Sequence, residues 1–316
     1  MIGKSITMTK GHGRVVVLMG GTSAERAISL KSGEAVLAAL IHNGIDAHAL
    51  DPRDGLMEGL VGKNYDHAFI MLHGRGGEDG TIQGLLELLR IPYTGSGVLG
   101  SALAMDKMRS KQLWQGMGLA TPSFIVLNSE GDLQMAVERL GLPLMIKPAR
   151  EGSSIGMTRV EHASEMPGAW ASARSCDDEI IAEQWVAGRE YTVAILGERV
   201  LPEILIETPR GFYDYDAKYA AEDTRFTCPS GLDQPSQEAV RSLAQEAFKA
   251  LGCRGWGRVD LFCDEGGRPW LIEANTVPGM TDHSLVPMAA RAAGMTFDEL
   301  VLAILEDTGL EVRLDA

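Results

Sequence analysis

Two carboxylates, an amide and a guanidinium lie on what the sequence predicts to be two neighbouring strands. Arg258 and Asp260 belong to the first strand, Glu273 and Asn275 to the second, and the Gly-Gly pair at 266–267 is typical of a hairpin turn. Because residues two apart on a strand share a face, the turn brings the four side chains together. Their oxygens suit a hard cation such as Mg²⁺, which binds one or two carboxylates plus substrate phosphates. For these residues alone, a surface hairpin with ordinary salt bridges is the alternative.

Six further motifs accompany this hairpin in a fixed order. They are GGTSAER at 20–26, LHGRGGEDG at 72–80, YTGSG at 93–97, MDK at 105–107, KPAREGSSIG at 147–156 and YDYDAKY at 213–219. Together with the hairpin they resemble the ATP-grasp ligases and, within that class, the D-alanine–D-alanine ligase family. The resemblance extends from about residue 15 to about residue 307, nearly the whole chain.

The resemblance implies an α/β protein in which a Rossmann-like N-terminal domain with a parallel sheet precedes an ATP-grasp fold of α+β central and C-terminal domains. We expect a flexible extension at 1–14, the N-terminal substrate domain at 15–97, the central subdomain at 98–187 and the catalytic domain at 188–316. The residues themselves support this order, since the first ~95 alternate strand, Gly-rich loop and helix, which favours a mostly parallel sheet.

Local patterns predict several elements. A strand is expected at 15–19 and a second, buried strand at 67–72, and helices are expected at 27–41 and 101–117. Thr81 is expected to cap a helix at 82–89, and a last helix is expected at 297–306. Residues 149–156 form a Gly-rich loop between two strands; without the P-loop pattern, we interpret it as a flap whose N–H groups close over phosphates. A flexible surface hairpin is the alternative for that loop.

The residues expected at the nucleotide lie in the central part, directly after it at Glu190, and in the YDYDAKY loop. The resemblance implies that lysines contact ATP phosphates, that the strand ending in Glu-Gln-Trp-Val holds adenine, and that a glutamate binds ribose. The ATP-binding residues so implied are Lys107, Lys147, Glu183, Gln184, Val186, Glu190 and Lys218. The family commonly has lysine where this chain has Gln184. This difference affects one expected contact with adenine, but it does not change the class of nucleotide that the site is expected to bind.

The resemblance also assigns the substrate site. Glu25 follows a strand at a helix N-terminus, where the macrodipole favours a negative charge, and it would hold the first D-alanine's ammonium in a network with Ser153 and Tyr219. His73 matches the substrate-site histidine, while Ser284 and the Leu285 N–H would hold the second carboxylate. Taken without the resemblance, each of these residues has an ordinary structural interpretation.

Arg258 and the Gly279 N–H are expected to stabilise the oxyanion formed when the second amine attacks an acyl phosphate. Asp260, Glu273 and Asn275 are expected to hold two Mg²⁺ or Mn²⁺ ions per active site. Alternatives are another ATP-grasp ligase, a D-alanine–D-lactate ligase, a dehydrogenase whose dinucleotide loop is at Gly20, and a non-catalytic nucleotide sensor.

Composition sets the remaining bounds. The chain has 316 residues, a net charge of −14 and four cysteines without CxxC spacing, so we expect reduced thiols and no nucleic-acid partner. No apolar run approaches the ~20 residues of a membrane span. The first residues lack the apolar core of a signal peptide, so we expect cytoplasmic residence. The resemblance implies a homodimer.

Overall fold

The residues described by the structure, a computed structural model, are 12–208 and 224–310, and they form three β-sheets flanked by helices. The strands, numbered along the chain, are β1 (Arg14–Leu18), β2 (Asp46–Leu50), β3 (His67–Ile70), β4 (Phe124–Val126), β5 (Leu144–Pro148), β6 (Thr158–Val160), β7 (Ile180–Gln184), β8 (Gly188–Leu196), β9 (Arg199–Val200), β10 (Ile204–Glu207), β11 (Arg225–Thr227), β12 (Trp256–Asp264) and β13 (Pro269–Asn275). The α-helices are α1 (Arg26–His42), α2 (Leu56–Leu60), α3 (Thr81–Leu89), α4 (Val98–Met105), α5 (Lys107–Gly116), α6 (Gly131–Leu140), α7 (Met166–Arg174), α8 (Gln234–Ala250), α9 (Leu285–Ala292) and α10 (Phe297–Glu306).

The N-terminal sheet is parallel, in the order β2-β1-β3, which confirms the predicted Rossmann-like arrangement. Four consecutive residues of β1 are buried, as expected of a central parallel strand covered on both faces. The two buried strands predicted at 15–19 and 67–72 are present as β1 and β3. β2 lies between β1 and β3 in the chain and was not predicted. Its sequence, Asp-Ala-His-Ala-Leu, lacks the apolar pattern of a buried strand, because this edge strand is partly exposed.

Two helix boundaries also differ from expectation. The helix expected at 101–117 is two helices, because the Asp106 side chain accepts the Arg109 N–H and begins α5 anew. Thr81 is the first helical residue and not the cap; the cap position belongs to Gly80, whose φ of +89° a side chain would strain. The helices predicted at 27–41 and 297–306 are present as α1 and α10.

The other two sheets are antiparallel and face a common cleft. One has the order β4-β7-β5-β6, and the other has the order β11-β10-β8-β12-β13 with β9 paired to β8. The hairpin predicted from Arg258 to Asn275 is present as β12 and β13, so that prediction is confirmed. These antiparallel sheets, with their helices, match the ATP-grasp expectation for the region after residue 98.

The last two helices pack onto the first sheet. Buried side chains of α9 and α10 share one apolar core with β1, β3 and α1. In addition, Ser32 on α1 accepts the Met280 N–H at 3.0 Å. The start and end of the described chain therefore form one packed body. The domain boundaries expected from the sequence remain predictions.

Among the helices of residues 12–208 and 224–310, none combines the length and the apolar character needed to cross a membrane.

Candidate active site

The hairpin places the predicted metal ligands side by side. Asp260 lies opposite Glu273 and Arg258 opposite Asn275 in the antiparallel register. The Arg258 guanidinium donates from Nε and Nη2 to the two Asp260 oxygens at 2.9 and 3.0 Å. Thr192 Oγ1 and Asn275 Nδ2 donate to the same carboxylate at 2.6 and 3.1 Å. Four donors thus occupy the roughly four acceptor sites of the buried Asp260 carboxylate.

The donor set suits a hard cation, although Asp260 is shielded. Glu273 and Asn275 line a cavity of about 300 Å³, whereas Asp260 lies behind Arg258. Within the described ranges, no group of three or more His, Cys, Asp or Glu side chains could hold a metal. Two carboxylates and an amide oxygen are nevertheless enough protein ligands for Mg²⁺, because substrate phosphates and water supply its remaining ligands. A cation reaching Asp260 would replace one of its present donors.

Lys107 connects the hairpin to the Gly-rich loop. As the first residue of α5 it is buried, and its Nζ lies 3.3 Å from Glu273 Oε2. The same Nζ donates to the Glu151 carbonyl at 2.6 Å, so the ammonium lies between the loop and the hairpin. The helix break at Asp106 creates this position.

A second, narrower cavity of about 50 Å³ lies between the two antiparallel sheets and contains most of the predicted nucleotide residues. One wall is β5, β7 and the segment after β7, and the other is Phe262, Ile272 and Glu273 of the hairpin. Its lining includes the predicted residues Lys107, Lys147, Glu183, Gln184, Val186 and Glu190. Because Lys107 and Glu273 also line the larger cavity, the two cavities meet at these residues.

A charge cluster that the sequence did not reveal supports Lys147. Its Nζ lies 2.5 Å from Glu183 Oε1, and the Nζ of Lys111 lies 2.5 Å from Glu183 Oε2. All three side chains are buried. Burial raises the pKa of Glu183, but the two ammonium groups outweigh it and the pKa is lowered. Burial lowers the pKa of Lys111 to about 8, opposed by the charge of Glu183.

The loop at 149–156, here called the flap, contacts the N-terminal body directly. Ser153 Oγ donates to Glu25 Oε1 at 2.5 Å, as the predicted network requires of this pair. Ser153 and its neighbour Ser154 have φ of +52° and +60°, a conformation that costs side chains free energy and therefore points to a role. A Cβ on Gly74 or Gly152 would lie 2.9 Å from Glu25 Oε2, so both glycines make room for this carboxylate.

His73 and Glu78 lie in the large cavity beside Glu25. His73 is buried, its Nε2 has no partner within the described residues, and burial lowers its pKa, so the imidazole is neutral at pH 7. The Glu78 carboxylate accepts N–H groups of Gly74 and Val277 at 2.8 and 3.2 Å. Burial, and then the charge of Glu25, raise the pKa of Glu78 to about 8. Sequence reasoning missed Glu78, although it belongs to the LHGRGGEDG motif.

Ser284 and Gly279 close the far side of the same cavity. Ser284 is the N-cap of α9, and its Oγ accepts the Thr281 N–H at 2.9 Å. Leu285 begins the helix, where N–H groups lack intrahelical partners and can bind an anion. A Cβ on Gly279 would lie 2.9 Å from Ser284 Oγ, so that site favours glycine.

Two predicted residues, Lys218 and Tyr219, lie outside the described residues. Their roles stay predictions, as do the roles of the residues that the structure places at the cavities.

The fold and cavities define an ATP-grasp ligase, and comparison with known proteins narrows this class. The chain matches the models described as D-ala D-ala ligase N-terminus, at residues 51–96, and D-ala D-ala ligase C-terminus, at residues 113–306. It is 61% identical to a D-alanine–D-alanine ligase of Halorhodospira halophila, over 93% of this chain and 95% of that one. It is 58% identical to that of Nitrosococcus oceani over 96% of both chains.

Solved structures agree. The fold matches that of the Bacillus anthracis D-alanine–D-alanine ligase complexed with ATP, with a TM-score of 0.83, 33% identity and coverage of 93% and 97%. It also matches the VanG D-Ala:D-Ser ligase of Enterococcus faecalis, with a TM-score of 0.82, 30% identity and coverage of 93% and 98%. The chain belongs to the D-alanine–D-alanine ligase family, and it is an enzyme of the ligase class.

Proposed function

We infer that this protein joins two D-alanine molecules into D-alanyl-D-alanine, converting ATP to ADP and phosphate, for peptidoglycan precursor synthesis. One observation carries the proposal in structural terms. Lys107 and Glu273 line both the narrow cavity between the sheets and the larger cavity that contains Glu25 and Ser284. A nucleotide in the first cavity would therefore direct its terminal phosphate toward an amino acid in the second.

The chemistry needs an activated carboxylate. A carboxylate is a poor acyl donor, because its leaving group would be oxide; phosphorylation by ATP yields D-alanyl phosphate, from which the second amine expels phosphate. Lys107 and Lys147 would bind the phosphates, whereas Gln184, Val186 and Glu190 would bind adenine and ribose. Asp260, Glu273 and Asn275 would hold Mg²⁺ or Mn²⁺, which neutralises phosphoryl oxygens and orients in-line transfer.

The large cavity would hold the two amino acids. The Glu25 carboxylate, fixed by Ser153, would bind the first ammonium, and the unpartnered Nε2 of His73 faces the same region. Ser284 and the Leu285 N–H would bind the second carboxylate at the α9 N-terminus. When the second amine attacks, Arg258 and the Gly279 N–H would stabilise the developing oxyanion. The flap and the YDYDAKY loop, with Lys218 and Tyr219, would exclude water from the acyl phosphate.

The proposal also includes a homodimer in the cytoplasm, as the resemblance implies. Sedimentation of the purified protein tests the dimer, and cell fractionation tests the location.

The decisive assay measures phosphate release and product mass with Mg²⁺ and ATP, with and without D-alanine. Dipeptide formation that depends on D-alanine is expected. Phosphate release stimulated only by another carboxylate indicates another ATP-grasp ligase, and nucleotide binding without turnover indicates a sensor. D-serine and D-lactate offered in competition with D-alanine identify the preferred acceptor, and chelation followed by Mn²⁺ addition tests the cation.

A further inference from the structure

Lys111 is a buried cation for which the reaction described above has no use. It follows Lys107 by one helical turn on α5, so both lysines lie on the same face of the helix. Its side chain is fully buried. Its Nζ donates to Thr121 Oγ1 at 2.7 Å and approaches the Leu271 carbonyl at 3.4 Å, in addition to the Glu183 pair.

Each oxygen of Glu183 faces one ammonium. Oε2 lies 2.5 Å from Lys111 Nζ, and Oε1 lies the same distance from Lys147 Nζ. Glu183 and Lys147 line the narrow cavity, whereas Lys111 does not and approaches the carboxylate from behind. With both lysines protonated, the cluster carries two positive charges and one negative charge, a net charge of +1 at the wall of the cavity.

Removal of Lys111 would reduce the positive charge that Lys147 offers to the cavity. The Glu183 carboxylate would have a single cation, and the remaining pair would be neutral. A buried carboxylate that loses one partner attracts the other more strongly, since little water is present to compensate. The Lys147 ammonium would then be held by Glu183 and would contribute no net charge to the cavity.

We propose that Lys111 is a positioning residue for ATP: by occupying one oxygen of Glu183, it leaves the Lys147 ammonium available to the phosphates. This inference rests on the proposed function. It assigns to Lys111 an indirect role, because the residue does not line the cavity and acts through Glu183.

The variant Lys111→Met tests the proposal with little disturbance elsewhere. Methionine has a similar length, and Thr121 Oγ1 already donates to the Leu271 carbonyl at 3.0 Å, so both groups stay paired after the change. The Michaelis constant for ATP and the dissociation constant for ADP should rise about 10–100-fold, by comparison with the effect of removing a residue that orients a metal ligand. The Michaelis constant for D-alanine, and kcat at saturating ATP, should stay at wild-type values.

The double variant Lys111→Met with Glu183→Gln, compared with Glu183→Gln alone, separates positioning from packing. Both variants lack the carboxylate through which Lys111 acts, together with any contact between that carboxylate and ATP. Lys111→Met should therefore cost little further ATP affinity in the Glu183→Gln background, whereas a lysine that only stabilises the fold predicts the same cost in both backgrounds. Should Lys111→Met alone fail to fold, a dissociation constant for ADP in the double variant close to that of Glu183→Gln supports the proposal, and one that is about 10–100-fold higher contradicts it.

Arg109→Met is the matched control. Arg109 lies on the same helix and pairs with Asp106 and Glu179, away from the cavity, so its removal should leave the ATP constants unchanged. If Lys111→Met keeps the wild-type ATP constants, or if the constants for ATP and D-alanine rise together, the inference is wrong. If the wild-type protein makes no dipeptide, the proposed function fails instead, and ADP titration still tests the Lys111 cluster.

Discussion

Removing the Ser153 hydroxyl should open the flap. Ser153 Oγ donates to the Glu25 carboxylate at 2.5 Å, and the serine is 7% exposed. A hydrogen bond to a charged group contributes about 1.5–3 kcal/mol, and each 1.4 kcal/mol corresponds to about tenfold. If this contact holds the flap closed over the first D-alanine, Ser153→Ala should lower kcat/KM for D-alanine by about 10–150-fold.

The conformation of Ser153 allows a second variant to separate the hydrogen bond from backbone strain. Ser153→Gly loses the same hydroxyl but relieves the cost of φ at +52°. It should therefore be as impaired in catalysis as Ser153→Ala, yet melt at a higher temperature. Ser154→Gly is the control, because it relieves the φ of +60° while the Ser153–Glu25 contact remains.

The assay follows ADP release at saturating ATP with varied D-alanine, and hydrogen exchange of the amides at 149–156 reports flap opening. Unchanged kcat/KM in Ser153→Ala, or a loss of activity without faster exchange in the flap, would refute the reasoning.

Three further predictions concern the cavities. Glu273→Gln removes an anionic oxygen beside Lys107 and should lower Mg²⁺-dependent ADP formation by about 10²-fold or more while circular dichroism stays unchanged; near-normal Mg²⁺-dependent turnover contradicts the metal assignment. Arg258→Met should depress dipeptide formation while ADP titration still shows binding, so either lost binding or full synthesis counts against the oxyanion role. The pKa of Glu78 is raised from 4.5 to about 8, so its contribution to stability is complete below the unfolded-state value and is lost as the pH rises through the folded-state value. In denaturant titrations, the free energy of unfolding of wild type should therefore fall more steeply between about pH 5 and pH 8 than that of Glu78→Gln. Equal slopes for the two proteins would contradict the raised pKa of Glu78.

The hairpin was predictable because its determinants are local. A Gly-Gly turn and the two-residue period of a strand predict which side chains of β12 and β13 share a face, and the observed register places Asp260 opposite Glu273. The break between α4 and α5 also has a local determinant, because the residue before Lys107 is an aspartate, a preferred N-cap residue.

The Lys111–Glu183–Lys147 cluster was not predictable from these patterns. Its members come from α5, β7 and β5, and only the packing of those elements makes the three charges neighbours. Burial, which determines the protonation of Glu78, likewise depends on contacts with residues as distant as Val277.

The core shared by the first and last parts of the chain has a consequence for the alignment of the two amino acids. Glu25 precedes α1 and Ser284 precedes α9, and both helices belong to the same apolar cluster. The two groups proposed to hold the amino acids thus belong to one packed body, whereas the two antiparallel sheets form the nucleotide cavity. We expect the spacing between donor and acceptor to be set before ATP arrives. Loosening the contact between α1 and the segment before α9, for example at Ser32, should therefore disturb peptide bond formation more than nucleotide binding.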